Sequence, residues 1–459
     1  RWRTRSWWRG EEIASSVITA LSMARGWEQE GSKLNNKTKL LLAGLGFGVI
    51  VLAAVIVQPF AIHPPATIKL AKLPAGEYDP AVWGREYPLE YGSYLKNLEM
   101  ADSPTGFGGS LKVQKSIKEP EILMNFKGYP FSKDYSEDRG HPYSLDDLKS
   151  SKRVTPASVG SCMTCKTPYI KDIYKEKGWE YASLPLSELF LAARHPISCA
   201  NCHDPATMQL SVANPAFIEA MQRGGIDVRK ASREQMRSYV CGQCHAEYYF
   251  EPQTKRVVFP WDKGFTPEQM YGYYGEKPAG FEQDWIHPDS QARMLKAQHP
   301  DFETFSGGVH AKSGVSCAAC HMPFMSRNGQ RYSSHWVTSP LKHVEASCAV
   351  CHRQNQQWLI DRVKTIQDHV FELQHTAGQT IARAHAAIGK AANADKADRA
   401  WLEQARELLR KAQWFWDIVA AENSMGFHNP DQVLNTLGRS IDMAHQSIQA
   451  ANRATGTQF

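Results

Sequence analysis

The chain has 459 residues, 42% of them hydrophobic, enough to bury a core without disulfide staples. Its formal net charge of +6 partly reflects an arginine-rich start, so charge gives no ground for a nucleic-acid partner. The ten cysteines therefore need another explanation, and their spacing supplies one.

In chain order, residues 1–36 carry Trp2, Trp7 and Trp8 among several arginines and match no functional motif. Residues 37–65 contain an 18-residue run at 40–57 without a polar side chain, with Lys33, Lys37 and Lys39 ahead of it. Length and flanking charge fit a membrane-entering segment whose N-terminus is cytoplasmic. The run is long for a signal-peptide core, and Gln58-Pro59-Phe60-Ala61-Ile62 makes a poor cleavage site. An uncleaved anchor in the cytoplasmic membrane is expected, with a cleaved signal as the alternative. Either one exports the rest of the chain to the periplasmic side.

Residues 66–355 form the expected body and hold every cysteine, in five Cys-x-x-Cys pairs. They are Cys162/Cys165, Cys199/Cys202, Cys241/Cys244, Cys317/Cys320 and Cys348/Cys351. Histidine follows directly in four, at His203, His245, His321 and His352, which completes the covalent haem c signature. A lone Cys-x-x-Cys is more often half of a zinc site, but zinc ribbons would use the pairs two at a time and strand the fifth. The first pair is followed by Lys166 instead. A lysine ligates iron only as the neutral amine, so burial and the metal must pull its pKa down. Such an arrangement is expensive to hold and suggests a functional, catalytic haem, the alternative being a decayed site whose lysine is a surface charge.

The first cysteines lie 37, 42, 76 and 31 residues apart, and haems close enough to exchange electrons must share one core. Strand-like alternation is scarce. The predicted fold is mainly α: a multihaem c-type cytochrome with haems packed in a loop-rich helical body, and long C-terminal helices.

In residues 356–459 the texture changes. Leu359, Val363, Ile366, Val370, Leu373, Ala377, Ile381, Ala384 and Ile388 recur at spacings of four and three. That is a heptad seam, the mark of a long helix packed on another. A second helix is predicted over about 397–423, and Asn429-Pro430 opens a third. The seam fits either an intramolecular hairpin or the interface of a homodimer, and these helices are expected to complete the body.

Thirteen of the seventeen histidines lie outside the motifs, and spacing alone does not assign distal ligands among them. The motifs do, however, resemble those of the pentahaem, ammonia-forming cytochrome c nitrite reductases. The likeness runs from about Gly128 into the C-terminal helices. It rests on Arg139-Gly140-His141, the Cys162 to Lys166 motif, and Cys241 to Phe250 with its Glu247-Tyr248-Tyr249. Lys296-Ala297-Gln298-His299-Pro300, Gly308-Val309-His310 and Gly426-Phe427-His428 complete it.

This resemblance implies five covalently bound haems c and one calcium ion. Distal ligands would be His335 for the second haem, His141 for the third, His428 for the fourth and His310 for the fifth. Arg153, Tyr248 and His299 would line the open face of the lysine-ligated haem. Nitrite is an anion, so a guanidinium offers charge and directed hydrogen bonds. Its reduction to ammonium consumes protons, which a histidine and a tyrosine can manage. Calcium would take side-chain oxygens from Glu247 and Gln298 and backbone carbonyls from Tyr248 and Lys296. The implied activity is six-electron reduction of nitrite, with hydroxylamine and sulfite as further substrates. A quinol-oxidising multihaem membrane cytochrome would donate the electrons. The competing reading is a non-catalytic multihaem electron-transfer cytochrome, which lacks any need for the Arg153, Tyr248 and His299 set. Hydroxylamine oxidation is a third, but enzymes of that kind carry more haems.

Overall fold

The computed structural model describes residues 35, 37, 70–137 and 139–456. The tryptophan-bearing start and the apolar run at 40–57 lie outside the described residues. Among those described, no helix is long and apolar enough to cross a membrane. The described residues from Ala71 onward form one compact unit, separate from Arg1–Leu70, and it holds every haem motif.

Short helices and loops make up most of this unit. Those used below are α1 (Ile122–Asn125), α2 (Arg233–Gly242) and α3 (Asp301–Gly307). Strand is confined, among the described residues, to three two-stranded antiparallel hairpins. Three long helices close the chain: α4 (Gln356–Ala392), α5 (Arg399–Ala420) and α6 (Pro430–Ala454). Each begins on a side-chain cap that satisfies otherwise unpaired N–H groups. Asn355 accepts from the Trp358 amide, Asp398 from those of Ala400 and Trp401, and Asn429 from that of Gln432. Pro430 occupies the first turn of α6, where its missing N–H costs nothing.

The heptad seam of α4 is consumed inside the chain. Val370, Ala377, Ile381, Ala384 and Ile388 are fully buried against α5 and α6, while Ile366 and Leu373 are half-buried. Helix α5 buries Trp414, Phe415 and Trp416 and makes polar bonds to the motif body. Trp414 Nε1 donates to the Pro267 carbonyl at 2.9 Å, and Arg410 donates to the Arg293 and Glu282 carbonyls at 2.6 and 2.7 Å. The long helices therefore share one core with body residues between Ile122 and Phe302, while Cys162, Cys199 and Cys348 each pack against a smaller cluster of their own.

Between α1, α4 and α5 lies a stacked pair of buried histidines, His287 and His385, with ring centroids 3.7 Å apart. His287 Nε2 donates to the Met124 carbonyl, and Ser290 Oγ bonds His385 Nδ1 at 2.9 Å. His385 Nε2 bonds Gln413 Oε1 at 2.7 Å. Burial holds both rings below their ordinary value, His385 furthest. They stay neutral when folded, whereas the unfolded chain protonates them below about pH 6.5. The stability they contribute is thus present above pH 6.5 and lost as pH falls, by up to about 1.4 kcal/mol per pH unit for each ring. His385→Gln is expected to destabilise strongly at pH 8, with the gap in denaturation midpoint to the native chain shrinking toward pH 5.

Candidate haem centres and substrate pocket

The five cysteine motifs converge. Gln243, inside the third, is buried and ties it to its neighbours. Its Oε1 accepts from the Ala213 and Asn214 amides at 2.7 and 3.0 Å, and its Nε2 donates to the Asn201 carbonyl in the second motif at 3.1 Å. Asn214 Nδ2 donates to the Gln243 carbonyl at 2.6 Å and stands 3.6 Å from Cys165 Sγ in the first. Cys165 lies beside Cys244 and Cys241 beside Cys317, so the first, third and fourth motifs are contiguous. None of the ten cysteines pairs into a disulfide.

A single cavity of about 1690 Å³ runs through this region. Nine of the ten motif cysteines line it, with Lys166, the four motif histidines and His141, His299, His310, His335 and His428. It exceeds the roughly 300–1,000 Å³ of a pocket for one small ligand. Histidines from distant segments face the motif histidines in pairs. Ring centroids are 6.1 Å apart for His203 and His335, and 6.4 Å for His245 and His141. They are 6.3 Å apart for His321 and His428, and 6.2 Å for His352 and His310. Two imidazoles binding one iron from opposite sides, each at roughly 2 Å, place their centroids about 6 Å apart. The donor set fits haem.

Local sequence explains the approach. A methyl group at Gly140 would overlap the Asn97 carbonyl, and one at Gly308 the His428 carbonyl, so glycine lets the segments bearing His141 and His310 close in. Burial first, and then the facing histidine, holds His141, His203 and His321 down at about 4. Each is neutral at pH 7 with a lone pair to give. Backbone carbonyls orient three of the rings through Nδ1: Met208 O for His203 at 2.9 Å, Thr338 O for His321 at 3.0 Å and Ser333 O for His335 at 2.9 Å. The Nε2 atoms are left for metal.

The first motif differs. Lys166 is half-buried on the cavity wall, and its carbonyl accepts from Ser144 Oγ at 2.8 Å. The Arg153 charge acts on the Cys162 thiol and on the Tyr248 hydroxyl. Arg153 lays its guanidinium 4.3 Å from the Phe131 ring centroid, and its buried Nε has no hydrogen-bond partner. Burial, then the neighbouring Cys165 and Cys162, pushes the Tyr248 hydroxyl far above its ordinary value, so it stays protonated. His299 lies against the third motif, its ring stacked 4.5 Å from that of His245.

Beside this pocket Glu247 and Glu303 are buried, at 0% and 2% exposure. The Glu247 carboxylate accepts from Tyr274 Oη at 2.9 Å and from the Gln298 amide at 2.5 Å. Glu303 accepts from the Glu247 amide and from Trp261 Nε1, yet its Oε2 has no partner. Burial pushes Glu247 well above the carboxylate range and Glu303 up to about 8. Lys296, the nearby buried cation, is committed to Asp417. The Gln298 side-chain amide meets the Lys296 carbonyl at 3.2 Å, and rotating that amide would set two oxygens side by side near Glu247. Hard oxygen donors with an excess of negative charge fit calcium.

The sequence profile of cytochrome c552 matches residues 79–458. The chain belongs to the cytochrome c552 family. It is 38% identical to cytochrome c-552 of Bacteroides thetaiotaomicron over 80% of this chain and 75% of that protein. It is 36% identical to the cytochrome c nitrite reductase subunit NrfA of Nitratidesulfovibrio vulgaris, covering 92% of this chain and 88% of that one. Among solved structures it is similar to the catalytic subunit NrfA of Desulfovibrio desulfuricans cytochrome c nitrite reductase, described with two calcium sites. There the identity is 35% and the TM-score 0.77, over 82% of this chain and 86% of that one. The mainly helical multihaem fold expected from the motifs is the cytochrome c552 fold.

Three polar residues of this cytochrome c552 site escaped the sequence reading: Asp301, Glu422 and Asn423. Asp301 gathers with His245 and His299, and again with Glu422 and His428, within 4.8 Å. Glu422 stands 2.5 Å from His428 Nδ1. Their only sequence signal is nearness to quoted motifs, since Asp301 follows His299 by two residues and Glu422-Asn423 precede Gly426-Phe427-His428.

Proposed function

We propose that the chain reduces nitrite to ammonium at a lysine-ligated haem held by Cys162, Cys165 and Lys166, fed by four bis-histidine haems. The observation that carries this reading is that Arg153 and Tyr248 lie close to the attachment cysteines of the one motif in which lysine replaces histidine. When bound, the haems supply the electron transfer and the iron that takes the substrate. Arg153 binds and orients the anion, with a buried Nε–H still free to donate. The protonated Tyr248 donates a hydrogen bond into the pocket, and His299 supplies protons from the cavity wall. Lys166 would be the proximal ligand, and His335, His141, His428 and His310 the distal ones. The similarity to nitrite reductases supports this set. It also supports a homodimer, a membrane cytochrome as donor, periplasmic location, and hydroxylamine and sulfite as further substrates.

Turnover with reduced methyl viologen tests the proposal: nitrite consumed should reappear as ammonium. Pure holoprotein that yields no ammonium sinks it. Electron paramagnetic resonance should show one haem signal altered by nitrite and the rest unchanged.

Calcium, held by Glu247, Gln298 and the Tyr248 and Lys296 carbonyls, would fix Tyr248 and His299 in place and add positive potential for an anion. Chelation with EGTA is expected to lower turnover about 10- to 100-fold, the usual effect of losing a ligand's support. Added calcium should restore it and magnesium should not, because magnesium tolerates this mixed donor set poorly.

A further inference from the structure

Asp301 opens α3 and is 7% exposed. An acid in a first helical turn ordinarily faces its own helix N–H groups. This one is held away from them. The Asn423 amide donates to its Oδ1 at 2.7 Å, and Asn423 Nδ2 donates to its Oδ2 at 3.1 Å. The same Oδ2 lies 3.1 Å from His245 Nδ1 and 3.6 Å from His299 Nδ1. Those two rings are stacked, with an interplanar angle of 30°. The backbone repeats the link, since the Phe302 amide donates to the His245 carbonyl at 2.9 Å. Glu422 is the nearer carboxylate to His428, 2.5 Å from its Nδ1 and itself held by Ser424 Oγ at 2.9 Å, while Asp301 lies within 4.8 Å of that pair.

We infer that Asp301 is a positioning residue shared by two centres: one carboxylate oxygen hydrogen-bonds the His245 ring that the third motif offers its haem and, at 3.6 Å, attracts the His299 ring at the substrate pocket by its charge. This rests on the function proposed above for its His299 half only. Through Nδ1 the motif histidines His203 and His321 face neutral backbone carbonyls, whereas His245 faces a carboxylate. A carboxylate acceptor makes an imidazole a stronger donor to iron and favours the oxidised metal. The haem adjoining the catalytic motif is therefore tuned by the group that steadies the proton donor. Electron supply and proton supply share one anchor.

The test is Asp301→Asn in the holoprotein, which keeps shape and removes charge. Potentiometry followed by electron paramagnetic resonance should show the haem of Cys241 and Cys244 shifted to higher midpoint potential, with that of Cys199 and Cys202 unmoved. In nitrite turnover kcat should fall about tenfold, with KM changed less than about twofold. Unchanged potentials overturn the inference, and so does a shift spread evenly over the bis-histidine haems. Should that variant load fewer than five haems, Asn423→Ala carries the test. With one donor fewer on Asp301, the same haem should move to lower potential, and no movement overturns the idea. Potentiometry needs no substrate. A chain that shifts as expected but makes no ammonium refutes the nitrite reading and leaves the His245 half standing.

Discussion

Replacing His299 with alanine is expected to lower kcat for nitrite about 10²- to 10⁴-fold, the usual contribution of a positioned proton donor. KM should change far less, because in the proposed site the charge that attracts the anion belongs to Arg153. Haem content should stay at five, since His299 pairs with no other histidine across the cavity in the way the ligand pairs do. Its ring instead stacks on His245, and Asn423 Nδ2 stands 3.3 Å from its Nδ1. The side chain is 24% exposed, open enough to exchange protons with solvent after each transfer. Steady-state kinetics and a haem assay on the same preparation check the three statements. Near-native kcat would remove His299 from the proposed chemistry.

The second large effect concerns stability. Lys296 and Asp417 form an ion pair with Nζ 2.8 Å from Oδ1 and both side chains at 0% exposure. Burial works against the ammonium, but Asp417 overrides it and holds Lys296 above its ordinary value. The Lys296 ammonium also donates to the Ala297 carbonyl and lies 4.7 to 5.1 Å from the ring centroids of Phe126, Phe131 and Tyr135. Asp417 Oδ2 accepts from the Ala297 amide at 2.7 Å, which clamps α5 to the Lys296–His299 segment. Lys296→Met would leave a buried carboxylate without a counter-charge, at a cost of about 3–5 kcal/mol. Denaturant titration should show this as a lower midpoint. Lys296→Met with Asp417→Leu should be milder, because no charge stays unpaired. A single variant as stable as the native chain would show that the pair is not what joins helix to loop.

What could be read in advance follows from how local each signal is. Covalent attachment needs two thiols and a ligand within five residues, so all five motifs and the odd Lys166 are visible in a linear text. Helix ends are local as well: Asn429-Pro430 announces α6 because capping and proline geometry act within one turn. The seam of α4 was legible as a packing face, yet its partner was not, since the same heptads serve a hairpin or a dimer. In the fold, α5 and α6 cover it from Val370 to Ile388, and Leu341 and Val344 cover Leu359 and Val363.

Distal histidines depend on contacts between residues far apart in sequence. His203 and His335 are paired in space, but spacing could not choose His335 over the other histidines, and only the family likeness pointed there. Asp301 with Asn423, Lys296 with Asp417 and His287 with His385 carried no sequence signal of pairing. Each is an ordinary polar residue until burial removes water and leaves the other as its partner.

By itself, then, the sequence determined the class of cofactor chemistry of this protein, through five Cys-x-x-Cys motifs of which one is different, and the helical frame around them. Tertiary structure alone decided which groups share a carboxylate, which charge is neutralised in the core, and which face of α4 meets its own chain. The physical reason is range. Covalent and capping chemistry acts within a turn of the chain, whereas hydrogen bonds and ion pairs between distant segments exist only once the fold has brought them together and excluded water.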